Sequence, residues 1–140
     1  MIEFVRDLVR LLSGDVDVKE VAAKVGPIGT DPGWPMPMEL RPTSPEVRAA
    51  KLARYPDAGP PYALTIEPAD GVKPTVAELK SAFGDYQQIH TNLGMAPELI
   101  FAPVGGPRWR VAVIARLDPA VGDFDASTVA RIVFRRDRTS

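Results

Sequence analysis

Two ten-residue segments, 58 positions apart, are written in the same helix grammar, and they constrain the fold more than any other feature of the chain. The first is Asp17-Val18-Lys19-Glu20-Val21-Ala22-Ala23-Lys24-Val25-Gly26. The second is Thr75-Val76-Ala77-Glu78-Leu79-Lys80-Ser81-Ala82-Phe83-Gly84. Asp17 and Thr75 are N-cap residue types, and Glu20 and Glu78 stand at the capping-box position three residues on. Val18 matches Val76, Val21 matches Leu79 and Val25 matches Phe83. Each segment then stops at a glycine, which suits the exit from a helix. Each therefore predicts a short helix with one buried stripe.

The stretches after the two helices are also alike. After the second come three runs rich in β-branched and aromatic residues, at 98–102, 108–117 and 128–135, bounded by Gly, Pro and Asp. Val104-Gly105-Gly106-Pro107 has hairpin composition. After the first come 38–41, 47–55 and 62–67, and Leu52-Ala53-Arg54-Tyr55 matches Ile114-Ala115-Arg116-Leu117. Ahead of both units, residues 2–13 place apolar side chains at 2, 5, 8, 9 and 12, a helical stripe. One segment is in conflict. Ser44-Pro45-Glu46 before an alanine-rich run reads locally as a helix start, whereas the repeat makes 47–55 a strand. We favour the strand, because pairing overrides local propensity. The expectation is one α+β domain over 1–140. It has an N-terminal helix (1–15) and two helix–three-strand repeats (16–68 and 74–136), which form an antiparallel sheet with the helices on one face.

The tandem helix-and-meander pattern, carried by Thr75 to Gly84 and the strands at 98–102, 108–117 and 128–135, resembles the fold of β-lactamase inhibitor protein. It is similar also to the small lipoproteins of the outer-membrane barrel assembly machine, which carry one such unit. The resemblance spans 16–136 and implies an open curved sheet that grips another protein.

Composition narrows the chemistry. The 140 residues include no cysteine and one histidine, His90, so thiolate sites, disulfides and His-rich metal sites are excluded. Nothing in the sequence calls for a cofactor or a metal. No run of 18 apolar residues occurs, so no membrane helix is expected, and Glu3, Arg6, Asp7 and Arg10 interrupt what a signal peptide would keep apolar. A cytoplasmic location is expected. Net charge is −1, aromatics are 7%, and no binding motif is present, so nucleic acid is not expected as a partner.

Period-two alternation sorts the faces. Trp109, Val111, Val113, Ala115 and Leu117, with Ala130, Ile132 and Phe134, belong against the helices. The opposite face carries Arg108, Arg110, Arg116, Arg131 and Arg135 around Ile114, Val129 and Val133. Arg48 and Arg54 fall on the equivalent face of the first repeat. Arginine on a solvated sheet face is ordinary. Forked guanidinium groups around apolar patches also suit an acidic protein partner. The Pro-rich approach Trp34-Pro35-Met36-Pro37-Met38 is a candidate contact loop, or packing over the sheet edge.

Other candidates are weaker. His90, near Asp85, Tyr86 and Asn92, reads as a capping or exposed residue. The glycine-rich 26–33 stretch follows a helix instead of opening one, so it lacks a phosphate cradle. Asp118, Asp123 and Asp125 read as turn residues without calcium-loop spacing. The functional expectation is a non-enzymatic protein-binding domain. Its narrower form is an immunity protein that blocks a cognate bacterial toxin with an acidic surface. Partner contacts are expected at Arg108, Arg110, Ile114, Arg116, Arg131, Arg135, Arg48, Arg54 and Trp34. The alternatives are an anionic small ligand held by Arg110, Arg116 and Arg131, and a homo-oligomeric structural domain.

Overall fold

In a computed structural model, which describes residues 1–56, 59–89, 97–117 and 124–139, the capped segments are helices. α1 (Ile2–Leu12) buries Val5, Leu8, Val9 and Leu12. α2 (Val18–Val25) and α3 (Val76–Phe83) each carry both bonds of a capping box. The Glu20 N–H donates to Asp17 Oδ1 at 2.9 Å and the Glu78 N–H to Thr75 Oγ1 at 3.2 Å. Such a cap contributes about 1 kcal/mol. Gly84 ends α3 at φ 88°, a region that side chains disfavour. Gly26 ends α2 for another reason: a Cβ there would collide with the Arg41 carbonyl.

The chain also forms eight strands: β1 (Ile28–Thr30), β2 (Met38–Leu40), β3 (Val47–Arg54), β4 (Pro61–Pro68), β5 (Tyr86–Ile89), β6 (Glu98–Gly105), β7 (Trp109–Leu117) and β8 (Val129–Arg138). They make one sheet, entirely antiparallel, in the order β1-β2-β3-β4-β8-β7-β6-β5. The fold is thus α+β, with three helices and an eight-stranded antiparallel sheet among the described residues.

Two parts of the expected arrangement need correction. Each of α2 and α3 is followed by four strands, not three. The additional strands, β1 and β5, are three and four residues long and form the two edges. Nor do the helices form one layer over one face. α1 packs on α3 and β7, and α3 packs on β6 and the 3-10 turn at Phe124–Ala126. α2 has no packing of that extent on any element and joins the core through Val21 and Val25.

Residues 47–54 are a strand. The apparent helix start before them is used as a turn: Ser44 Oγ accepts from the Glu46 N–H at 3.2 Å, and the Val47 N–H donates to the Ser44 carbonyl at 3.2 Å. The chain then pairs with β4 along its length and with β2 at Ala50, Lys51 and Leu52, which satisfies much of its backbone.

The core is built in rows across the sheet. Met38, Leu52, Leu64, Phe134, Val113 and Phe101 are successive register partners, and all are buried. Ala50, Ile66, Ile132, Ala115 and Leu99 form the next row. Each large apolar side chain so buried contributes about 1.5–3 kcal/mol. The helix stripes join these rows in one cluster. Among the described residues no helix is long and apolar enough to cross a membrane.

Candidate functional site

The side chains that alternate with the core rows point to the other face of the sheet. Register sets them in three rows. The central row runs Glu39, Lys51, Thr65, Val133, Ile114, Ile100 and Gln87. Its middle is apolar. Ile114 is only 9% exposed, because Val133 and Ile100 stand directly beside it.

The next row is charged. Glu98, Arg116 and Arg131 are register partners, and Glu67 completes the row through Arg131. Two like charges opposite each other are unfavourable on their own. Here each guanidinium has a carboxylate on its far side. Arg116 Nη2 donates to Glu98 Oε1 at 3.3 Å, and Arg131 Nη2 donates to Glu67 Oε1 at 3.0 Å. Arg48 Nη2 also reaches Glu67, at 3.5 Å from Oε2. The hydrogen bond from Arg131 holds the Glu67 carboxyl below the usual range; partial burial opposes this, and the charges of Arg131 and Arg48 reinforce it. Arg131 remains 41% exposed, so these pairs each contribute no more than about 1 kcal/mol.

The third row contains Ala63, Arg135 and Ala112. Arg135 Nε donates to Asp137 Oδ2 at 3.1 Å. Arg110 stands opposite Asp137 in register, is exposed, and forms no ion pair among the described residues. Lys51, also exposed, is alike in this. Between β3, β4 and β8 the face holds a hollow of about 230 Å³, lined by Ala49, Ala50, Lys51, Thr65, Glu67 and Arg131.

The structure thus gathers Arg48, Arg110, Ile114, Arg116, Arg131 and Arg135 on one face. Three expected contact residues lie elsewhere. Arg54 follows an irregularity in the β3–β4 register and pairs with Asp31 at 3.1 Å. It lines a different hollow, with Val16, Asp17, Val18 and Lys19 at the start of α2. Arg108 precedes β7 and pairs with Asp15 beyond the end of α1, at 2.9 Å. Trp34 is in the β1–β2 connection, 58% exposed, beside Met36 at 61%. Val129, expected among the arginines, is instead buried in the core cluster.

Sequence reasoning missed Arg136. It is 1% exposed and inside the protein. Nε donates to the Leu12 carbonyl at 2.8 Å, Nη1 to the Pro61 carbonyl at 2.6 Å and Nη2 to the Gly14 carbonyl at 2.7 Å. Its guanidinium also lies 3.9 Å from the Trp109 ring centroid. Trp109 Nε1 donates to Asp15 Oδ1 at 3.0 Å. Burial lowers the Arg136 pKa, and the Asp15 charge opposes this. Arg136 therefore ties β8 to the end of α1 and to the start of β4.

Asp125 accepts a hydrogen bond from the Tyr86 hydroxyl at 3.0 Å, tying the 3-10 turn to β5. His90, Asp118 and Asp123 lie outside the described residues. Among the described residues no group of three His, Asp or Glu side chains is placed to hold a metal ion. Comparison with known proteins finds no matching family model, no similar curated protein and no similar solved structure.

Proposed function

We propose that this chain is a protein-binding domain that works through the open face of its sheet. The observation that carries the reading is the central apolar strip Val133–Ile114–Ile100, bordered by half-exposed arginine–carboxylate pairs. An apolar centre with an arginine-rich border is the anatomy of a protein interface. The strand order supports a second element of the reading. β1-β2-β3-β4 and β8-β7-β6-β5 follow α2 and α3 in the same sequence order, so we read the sheet as two units joined where β4 meets β8. Joining them makes one face wide enough to hold a partner's loop. This is the kind of grip that the resemblance to an inhibitor scaffold implies.

In its narrower form, the partner is a toxin that the bound domain inactivates. Purification of the native complex, with the partner identified by mass spectrometry, tests both levels. Ile100→Glu puts a charge in the apolar strip at a half-buried site, and should release the partner while the fold persists. A partner retained by Ile100→Glu removes the open-face reading. A partner that is released, but whose own activity is unchanged by the domain, removes the inhibitor form alone.

A further inference from the structure

The hollow on the open face differs from the rest of that face. Over β6, β7 and β8 the surface is filled by Ile100, Ile114 and Val133. Over β3 and β4 the side chains are smaller, Ala49 and Thr65, and the surface is left concave. Polar atoms border this space, and several have unused bonding capacity. The Lys51 ammonium makes no ion pair among the described residues, although Glu39 is its register partner on β2, and the Thr65 hydroxyl makes no hydrogen bond there. Arg131 spends one N–H on Glu67 and has five in all.

Charge decides what would enter. Glu67 is the one anion lining the hollow among the described residues, and Arg131 and Arg48 already hold it. Counting Arg48 with Lys51 and Arg131 on one side, and Glu67 with Glu39, the register partner of Lys51, on the other, three cations face two carboxylates. A cationic or apolar group would leave that excess unanswered. A carboxylate would meet an unpaired ammonium, a hydroxyl donor and the spare N–H groups of a guanidinium, which are the charge-assisted bonds that hold anions most firmly. The apolar strip beside it would cover the rest of the entering loop.

Resting on the open-face reading, we propose that this hollow seats one aspartate or glutamate side chain from an exposed loop of the protein partner, bonded by Lys51, Thr65 and Arg131. The Asp or Glu fixes the partner's register on the face, and the Val133–Ile114–Ile100 strip supplies the remaining contact.

Disulfide-closed peptide loops displayed on phage, panned on the full-length protein, provide the probe. The loops selected should share one acidic residue, and its change to Asn or Gln should weaken binding about tenfold or more. Lys51→Glu should abolish capture of these loops with an unchanged melting temperature. A loop bearing Lys in place of its acid should bind Lys51→Glu better than wild type. Loops that are lost on Ile100→Glu but carry no common acid, or that ignore Lys51→Glu, overturn the carboxylate seat and leave the open-face reading standing. Loops indifferent to Ile100→Glu overturn the open-face reading, and the seat falls with it. Displacement of the loops by millimolar succinate as readily as by free loop peptide makes the occupant a small anion, and also overturns the proposal.

Discussion

Arg131 and Arg136 stand five residues apart on β8 and face opposite ways. Arg131 is 41% exposed and shares one carboxylate with Arg48. Arg136 is buried, held by three backbone carbonyls and a tryptophan ring. The same side chain type thus does two different jobs on one strand. On the open face its charge remains available to a newcomer, because water and Glu67 together satisfy it loosely. Inside, the charge is consumed by structure. Two of the three carbonyls belong to Leu12 and Gly14, where α1 ends and where helix carbonyls lack intrahelical donors. The negative end of the helix dipole also lies there. A guanidinium is one of the few groups that can answer three divergent acceptors at once.

That contrast is broken most severely at Arg136. Arg136→Met keeps much of the apolar stem but removes all five donors. The carbonyls of Leu12, Pro61 and Gly14 are then left without their donor, and the stacking on Trp109 is lost. We expect a loss of about 3–5 kcal/mol, comparable to breaking a buried charged network. Urea denaturation measures it directly. A loss under about 1 kcal/mol would mean that the carbonyls find water and that Arg136 is no staple. Asp15→Asn should cost less, about 1 kcal/mol, since it weakens the bonds from Trp109 and Arg108 without emptying the site. The same titration should give both values.

Arg136 was within reach of the sequence. Ile132 and Phe134 alternate onto the core face, and the next step of that alternation is 136. The strand was expected to end at 135, and a charged residue gave no apolar signal to extend it. α2 and α3 were legible because their caps are local chemistry, set by residues three apart, and α1 because its apolar stripe is. The long strands were legible because burial of one face imposes period two. Register was not legible. Matching Leu52 to Ile114 sets a core position on an open one, and a slip by one residue exchanges the faces. The placement of Arg54 on the open face has the same root. β1 and β5 were missed because three or four residues show no period, and such edge strands exist only through their neighbours. The charged row was half legible: the arginines could be assigned a face, but Glu98 meets Arg116 only through the register of β6 on β7, and Glu67 meets Arg131 only through pairing of the distant strands β4 and β8.

The loose side of the contrast can be sharpened by titration. The hydrogen bond from Arg131 lowers the folded-state pKa of Glu67. A depressed carboxyl contributes stability above its unfolded pKa of about 4.3 and loses it as pH falls through the lower folded value. Since the pair is partly solvated, its contribution is no more than about 1 kcal/mol. Glu67→Gln should therefore lower stability slightly at pH 7 and equal wild type below the folded pKa. Melting temperatures recorded from neutral pH down into strong acid would display the two curves converging. Curves that stay parallel would show that Glu67 carries no such coupling.

The smallest effect tests why the row is ordered as it is. Arg116 and Arg131 are direct register partners with like charge. Glu98 and Glu67 flank them, so each carboxylate both attracts its own arginine and draws it away from the other. If Glu67→Gln is destabilising partly because it turns Arg131 back towards Arg116, then adding Arg131→Ala should recover part of the loss. A double-mutant cycle should give a coupling of about 0.5 kcal/mol or less at low salt, falling further at high salt. No comparable recovery is possible for Arg136, whose partners are backbone and cannot be removed with it. A cycle with zero coupling would make the row four independent surface charges. The loosely held guanidinium that the open face offers to a partner would then owe nothing to Glu67.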